Sequence, residues 1–136
     1  MKIEDQVLSI EQMQHLQELG IDTSDASMCW LDFEDNEPME VVVFIPEIML
    51  GYKIHKFYPT YSIGDLIEKL PNSIEGVHGI SYNRKLLIEG EYTEVGYTNG
   101  GDYCQLFYSH STLISLLYSL LCELAKNHKE LLNVKK

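Results

Sequence analysis

The chain has 136 residues, 45% of them hydrophobic and 23% charged, which suits one domain with its own core and argues against intrinsic disorder. Its formal net charge of -11 is not spread evenly: residues 1–50 hold twelve acids against the single base Lys2, while the other 86 residues hold nine acids and nine bases. A first third of that sign repels phosphate backbones, so direct nucleic-acid binding is not expected and a basic protein partner is favoured.

The charged start, Met1 to Asp5, lacks the apolar run of an export signal. Three scattered cysteines, Cys29, Cys104 and Cys122, do not make a disulfide framework, so a reducing cytoplasm is the expected compartment. Ser9 opens the first element. With Gln12 three residues on, it forms a Ser-x-x-Gln capping box, flanked by Leu8 and Met13 as a hydrophobic staple. Ile10, Met13 and Leu16 then mark an apolar stripe, and Gly20 supplies a left-handed stop, which predicts a helix over Ile10–Leu19. No second helix bearing basic or amide groups follows, so the opening is not a DNA-reading helix-turn-helix.

Ser27–Phe33 and Met39–Ile45 read as strands, the second through its run of three valines, which suits a strand covered on both faces. The link between them, residues 34–38, reads as an exposed hairpin tip. Asp32, Glu34, Asp35, Glu37, Glu40 and Glu47 place six carboxylates within sixteen residues. A calcium loop would need Gly at its sixth position and Glu at its twelfth; counted from Asp32, those positions hold Glu37 and Val43. The expectation is therefore a partner-binding surface made by Asp32, Glu34, Asp35, Glu37 and Glu40, with no metal site. Residues 46–61 are aromatic and carry the pair Lys53 and Lys56, and they read as a loop packed on the core.

Ser62 and Asp65 repeat the capping logic. Ile63, Leu66, Ile67 and Leu70 form a buried face, and Pro71 stops the second short helix. From His78 the period changes to two, predicting strands His78–Tyr82, Lys85–Glu89, Tyr92–Thr98 and Tyr103–Tyr108. Asn83-Arg84 and residues 99–102 supply the turns. The last element, within Ser109–Asn127, places Ser111, Ser115, Ser119 and Glu123 in one polar line on an otherwise apolar helix. Its apolar stretch, Leu113–Ala125, spans roughly 20 Å, short of the ~30 Å bilayer core, so no membrane span is expected. So much apolar circumference requires either packing by both short helices or a homodimer through this C-terminal helix.

No phosphate loop, dinucleotide fingerprint or nucleophile elbow occurs, and no paired His or Cys could nucleate a metal site, so no cofactor is expected. The best enzymatic constellation would use Cys104 as nucleophile, His110 or His78 as base and Asp102 as orienter. Cys104 alternates with Leu106 and Tyr108, which favours a buried, inert thiol. No catalytic residue is assigned.

Leu16-Gln17-Glu18-Leu19-Gly20-Ile21-Asp22-Thr23-Ser24, Ala26-Ser27-Met28-Cys29-Trp30 and Leu66-Ile67-Glu68-Lys69-Leu70-Pro71 resemble segments of a group of uncharacterised small bacterial proteins associated with gut bacteria and their prophages or mobile elements. That resemblance implies no activity and transfers no functional residue. The expected architecture is a single α+β domain over residues 1–136. In it an antiparallel sheet of hairpin and meander packs against a long C-terminal helix and two short ones. The expected function is a non-enzymatic interaction module presenting acidic surface to a basic partner. The alternative is a small ligand-binding domain or hydrolase using a pocket between sheet and C-terminal helix.

Overall fold

Of two antiparallel sheets, the second shares the main core with the helices, and the first carries a separate small cluster around Cys29 and Leu31. The computed structural model describes residues 3–33, 38–44, 54–75, 80–89, 92–99, 102–109 and 112–127, the stretch 102–109 by its backbone. A 3-10 turn, Ile3–Gln6, leads into α1 (Ile10–Glu18). The first sheet contains β1 (Met28–Phe33), β2 (Glu40–Val43) and β3 (Ile54–Thr60) in the order β2-β1-β3. After α2 (Ile63–Lys69), the second sheet contains β4 (Ser73–Glu75), β5 (Ser81–Glu89), β6 (Tyr92–Asn99) and β7 (Asp102–Ser109) in sequence order, and α3 (Leu113–Asn127) closes the fold. The result is the α+β architecture expected, with the hairpin and the meander in separate sheets.

Local chemistry sets the helix limits. At α1 the Ser9 side chain accepts from the Gln12 N–H at 3.1 Å and Gln12 Oε1 accepts from the Ser9 N–H at 2.9 Å. At its end Gly20 adopts φ 91°, its N–H bonds the Gln17 carbonyl, and the Ile21 N–H reaches back to Leu16, completing a Schellman motif. Leu16 and Ile21, the apolar pair that accompanies such a motif, are both buried in the main core. Ser62 and Asp65 form the reciprocal box at α2, and Leu70 leaves helical geometry with ψ 130° before Pro71. Each box contributes about 1 kcal/mol.

The main core draws on Leu8, Met13, Leu16, Tyr61, Leu66, Leu70, Ile74, Val95 and Tyr97, and on α3, which buries eight of its fifteen residues. Ser115 is exposed and Ser119 and Glu123 are half-buried, so the polar line read from the sequence is the helix's outer edge. α3 packs on β6, β7 and α2.

Several expectations are corrected. Residues 54–60, read as loop, form β3, the partner of β1 along its whole length. Pro59 obscured it: proline cannot donate to a ladder, but β3 is an edge strand in this sheet, where that loss is tolerated. The valine strand is not covered on both faces. It is the opposite edge, with Val41 buried and Val43 58% exposed, and β1 takes the centre. Asn83-Arg84 is no turn. β5 runs through it, with Asn83 opposite Thr98 and Arg84 opposite Tyr97. Arg84 is held there because its guanidinium Nη1 donates to the carbonyls of Ile67 and Leu70 at 2.8 and 3.0 Å, capping α2. β4 was not anticipated; three residues give too short a period to read.

Candidate functional site

The N-terminal segment is fastened to the first sheet through one residue. The Leu8 N–H bonds the Tyr61 carbonyl at 3.0 Å, and the Leu8 carbonyl accepts from Trp30 Nε1 at 2.9 Å and Thr60 Oγ1 at 2.6 Å. This fixes the Trp30 indole and leaves part of it lining a cleft of about 610 Å³. Val7, Ile63, Leu113 and Ile114 supply the other apolar walls. Glu4 and Asp5 stand at the mouth, and Ser9, Gln12 and Thr112 complete the lining. The segment before α1, the centre of β1 and the first residues of α2 and α3 thus meet at one place.

The polar lining is largely committed. Ser9 and Gln12 bond each other, and Thr112 Oγ1 lies 2.8 Å from Ser115 Oγ at the start of α3. Glu4 and Asp5 are exposed at the entrance. Among the described residues no His, Cys or Lys lines the cleft, and the hydroxyls of Ser9 and Thr112 are bonded to Gln12 and Ser115. An apolar pocket with an acidic mouth is suited to holding an apolar group that carries positive charge beside it.

Comparison with protein-family models, with curated proteins and with solved structures finds no match. Among the described residues no group of three His, Cys, Asp or Glu could hold a metal ion, and no helix is long and apolar enough to cross a membrane.

Of the five acids singled out in the sequence, Asp32 and Glu40 are described. Asp32 lies on β1 opposite Lys56 of β3, whereas Glu40 pairs with Leu31, the residue before Asp32. Alternation along a strand therefore sends these two carboxylates to opposite faces of the sheet. Glu34, Asp35 and Glu37 lie outside the described residues, as do His78 and His110 and the side chains of Asp102 and Cys104. Cys29 and Cys122 are free and buried. Burial pushes the thiol pKa up in both, and at Cys122 a hydrogen bond from Tyr118 and the charge of Lys126 act the other way. A raised thiol is a poor nucleophile.

A second polar cluster joins the loop after α1 to α2. Tyr61 Oη lies 2.7 Å from Asp25 Oδ1 and 2.9 Å from the Asp22 carbonyl, and Lys69 Nζ donates to the same two residues at 3.1 and 2.9 Å. The Lys69 side chain is only 6% exposed, and its charge is matched by Asp25. Burial first, then the Asp25 hydrogen bond and the charges of Asp25, Asp22 and Asp65, push the Tyr61 pKa far above its ordinary value. With its groups bonded to one another, this cluster is a clamp holding the loop against the helix.

Sequence reasoning missed the cleft. Glu4, Asp5, Trp30 and Ile114 are remote in the chain, and no spacing announces them. The one available signal was the sole tryptophan falling in a strand next to an acid-rich N-terminal third.

Proposed function

We propose that this protein is a non-enzymatic interaction module that binds a basic, partly apolar segment of a partner protein. The cleft at Trp30 takes an apolar side chain, and Glu4 and Asp5 at its mouth meet adjacent basic residues. The observation that carries this reading is the joining of an apolar cleft of about 610 Å³ to two exposed carboxylates in the acidic third of the chain. The engagement of the Ser9 and Thr112 hydroxyls by Gln12 and Ser115 favours binding over hydrolysis. The remaining acids, including Asp32 and Glu40, add a long-range field that speeds encounter with a basic partner. The buried free thiols suit a reducing cytoplasm.

Trp30 is the only tryptophan, so its emission reports the cleft directly. Titration with an amphipathic peptide of alternating lysine and leucine should give a saturable change in that emission. Binding should weaken with salt and fall roughly tenfold in the double variant Glu4→Gln, Asp5→Asn. A glutamate and leucine peptide should leave the emission unchanged. Unaltered emission with the lysine peptide, or equal response to both peptides, rejects the proposal.

A further inference from the structure

The second sheet ends in a partly open edge. β4 pairs with β5 only at Ser81, Tyr82 and Asn83, and the Asn72 carbonyl adds a bond from the Arg84 N–H at 2.8 Å. Among the described residues no strand pairs with Leu86–Glu89 on that side. The Arg84 N–H points to this edge, and backbone direction alternates along a strand, so the N–H and C=O groups of Leu86 and Ile88 point to it as well. Their side chains are uncovered too. Both share the face of Val95 and Tyr97, but α3 lies over β6 and β7, leaving Leu86 37% and Ile88 60% exposed. An open edge with exposed apolar side chains is a template for another strand.

We propose that the partner for this edge is β5 of a second copy, paired antiparallel about a two-fold axis at Leu87. The residues 85–89, Lys-Leu-Leu-Ile-Glu, are self-complementary in that register. Lys85 faces Glu89 of the second copy, Leu86 faces Ile88, and Leu87 faces its own counterpart. The backbone direction agrees, because Leu86 and Ile88 become the mutually hydrogen-bonded pair and Leu87 the non-hydrogen-bonded one. Shifting the axis to Leu86 would set Arg84 against Ile88 and Lys85 against Leu87. Shifting it to Ile88 would set Leu87 against Glu89. Only the Leu87 register matches charge with charge and apolar with apolar. Lys85, whose Nζ is 3.4 Å from Glu94 Oε2, then lies between two carboxylates. The pairing joins the two four-stranded sheets into one and brings Leu86 and Ile88 of both copies together between the two α3 helices. This surface is separate from the cleft at Trp30.

Two experiments on the full chain test the pairing. Sedimentation across the micromolar range should show a reversible dimer, and Glu89→Lys, which sets like charges opposite at two symmetric places, should weaken it roughly tenfold with an unchanged circular dichroism spectrum. In a non-hydrogen-bonded antiparallel pair the facing Cα atoms are about 4.5 Å apart, within disulfide reach. Under oxidation Leu87→Cys should therefore cross-link to its counterpart, whereas Glu89→Cys and the wild type should not. A wild type that stays monomeric, a dimer indifferent to Glu89→Lys, or equal cross-linking of both cysteine variants would overturn the proposal.

Discussion

Replacing Tyr61 by phenylalanine should destabilise the protein at neutral pH and stabilise it in alkali. The buried hydroxyl lies 2.7 Å from Asp25 Oδ1 and 2.9 Å from the Asp22 carbonyl, but Lys69 Nζ donates to both of those residues and remains after the substitution. The loss is therefore one hydrogen bond without an orphaned partner, about 1 kcal/mol, or roughly 4 °C in Tm for a chain of this size. The alkaline behaviour follows from the raised phenol pKa. An unfolded tyrosine releases its proton near pH 10, well before the folded Tyr61 does, so above that pH the unfolded state binds fewer protons and stability falls as pH rises. The slope for this one group approaches about 1.4 kcal/mol per pH unit. The phenylalanine variant lacks that slope, and groups common to both chains cancel in the difference. The two stability curves should cross at about pH 10.6, the variant being the more stable beyond the crossing. Urea unfolding at pH 7, 10, 10.5 and 11, followed by circular dichroism, measures the difference directly. Curves that stay parallel across that range would refute the linkage, and a neutral-pH loss above ~3 kcal/mol would show that Lys69 does not compensate.

Two other substitutions test the framework. Leu117→Ala removes a fully buried α3 side chain from the main core and should cost about 3 kcal/mol in chemical denaturation; a loss under ~1 kcal/mol would mean α3 is not the centre of that core. Asp65→Ala removes the acceptor for the Ser62 N–H at 2.9 Å, the Ser27 N–H at 3.1 Å and the Ser27 hydroxyl at 2.6 Å, and should lower stability by about 2 kcal/mol, whereas Glu68→Ala, on an exposed position of the same helix, should leave the urea midpoint nearly unchanged.

What the sequence made legible was local chemistry. Ser9 with Gln12 and Ser62 with Asp65 lie within one turn of their partners, and Gly20 answers a backbone demand that only its own neighbours impose, so these features can be read without the fold. The long C-terminal helix declares itself by its period. What escaped was decided by distant residues. β3 depends on β1, which lies more than twenty positions upstream, and Pro59 argues locally against a strand that edge placement permits. Arg84 looks like a turn residue until the carbonyls of Ile67 and Leu70 are brought to it. The acidic patch rests on proximity in sequence, yet strand alternation separates Asp32 from Glu40, and the cleft at Trp30 forms from four segments that no window contains.

The main core takes Leu8, Leu16, Tyr61 and Leu66 from the first half of the chain and Val95, Tyr97 and the whole buried side of α3 from the second. A ribosome delivers these halves in order, so the early hairpin of β1 and β2 waits for β3 to complete its sheet and then for α3 to cover Tyr61 and Leu66. The meander β5–β6–β7 pairs only neighbours in sequence and needs no such wait. An element synthesised after the rest of the core, α3, is thus the one that makes the earlier structure permanent, and a nascent chain stalled before residue 113 would present an uncovered greasy surface to chaperones.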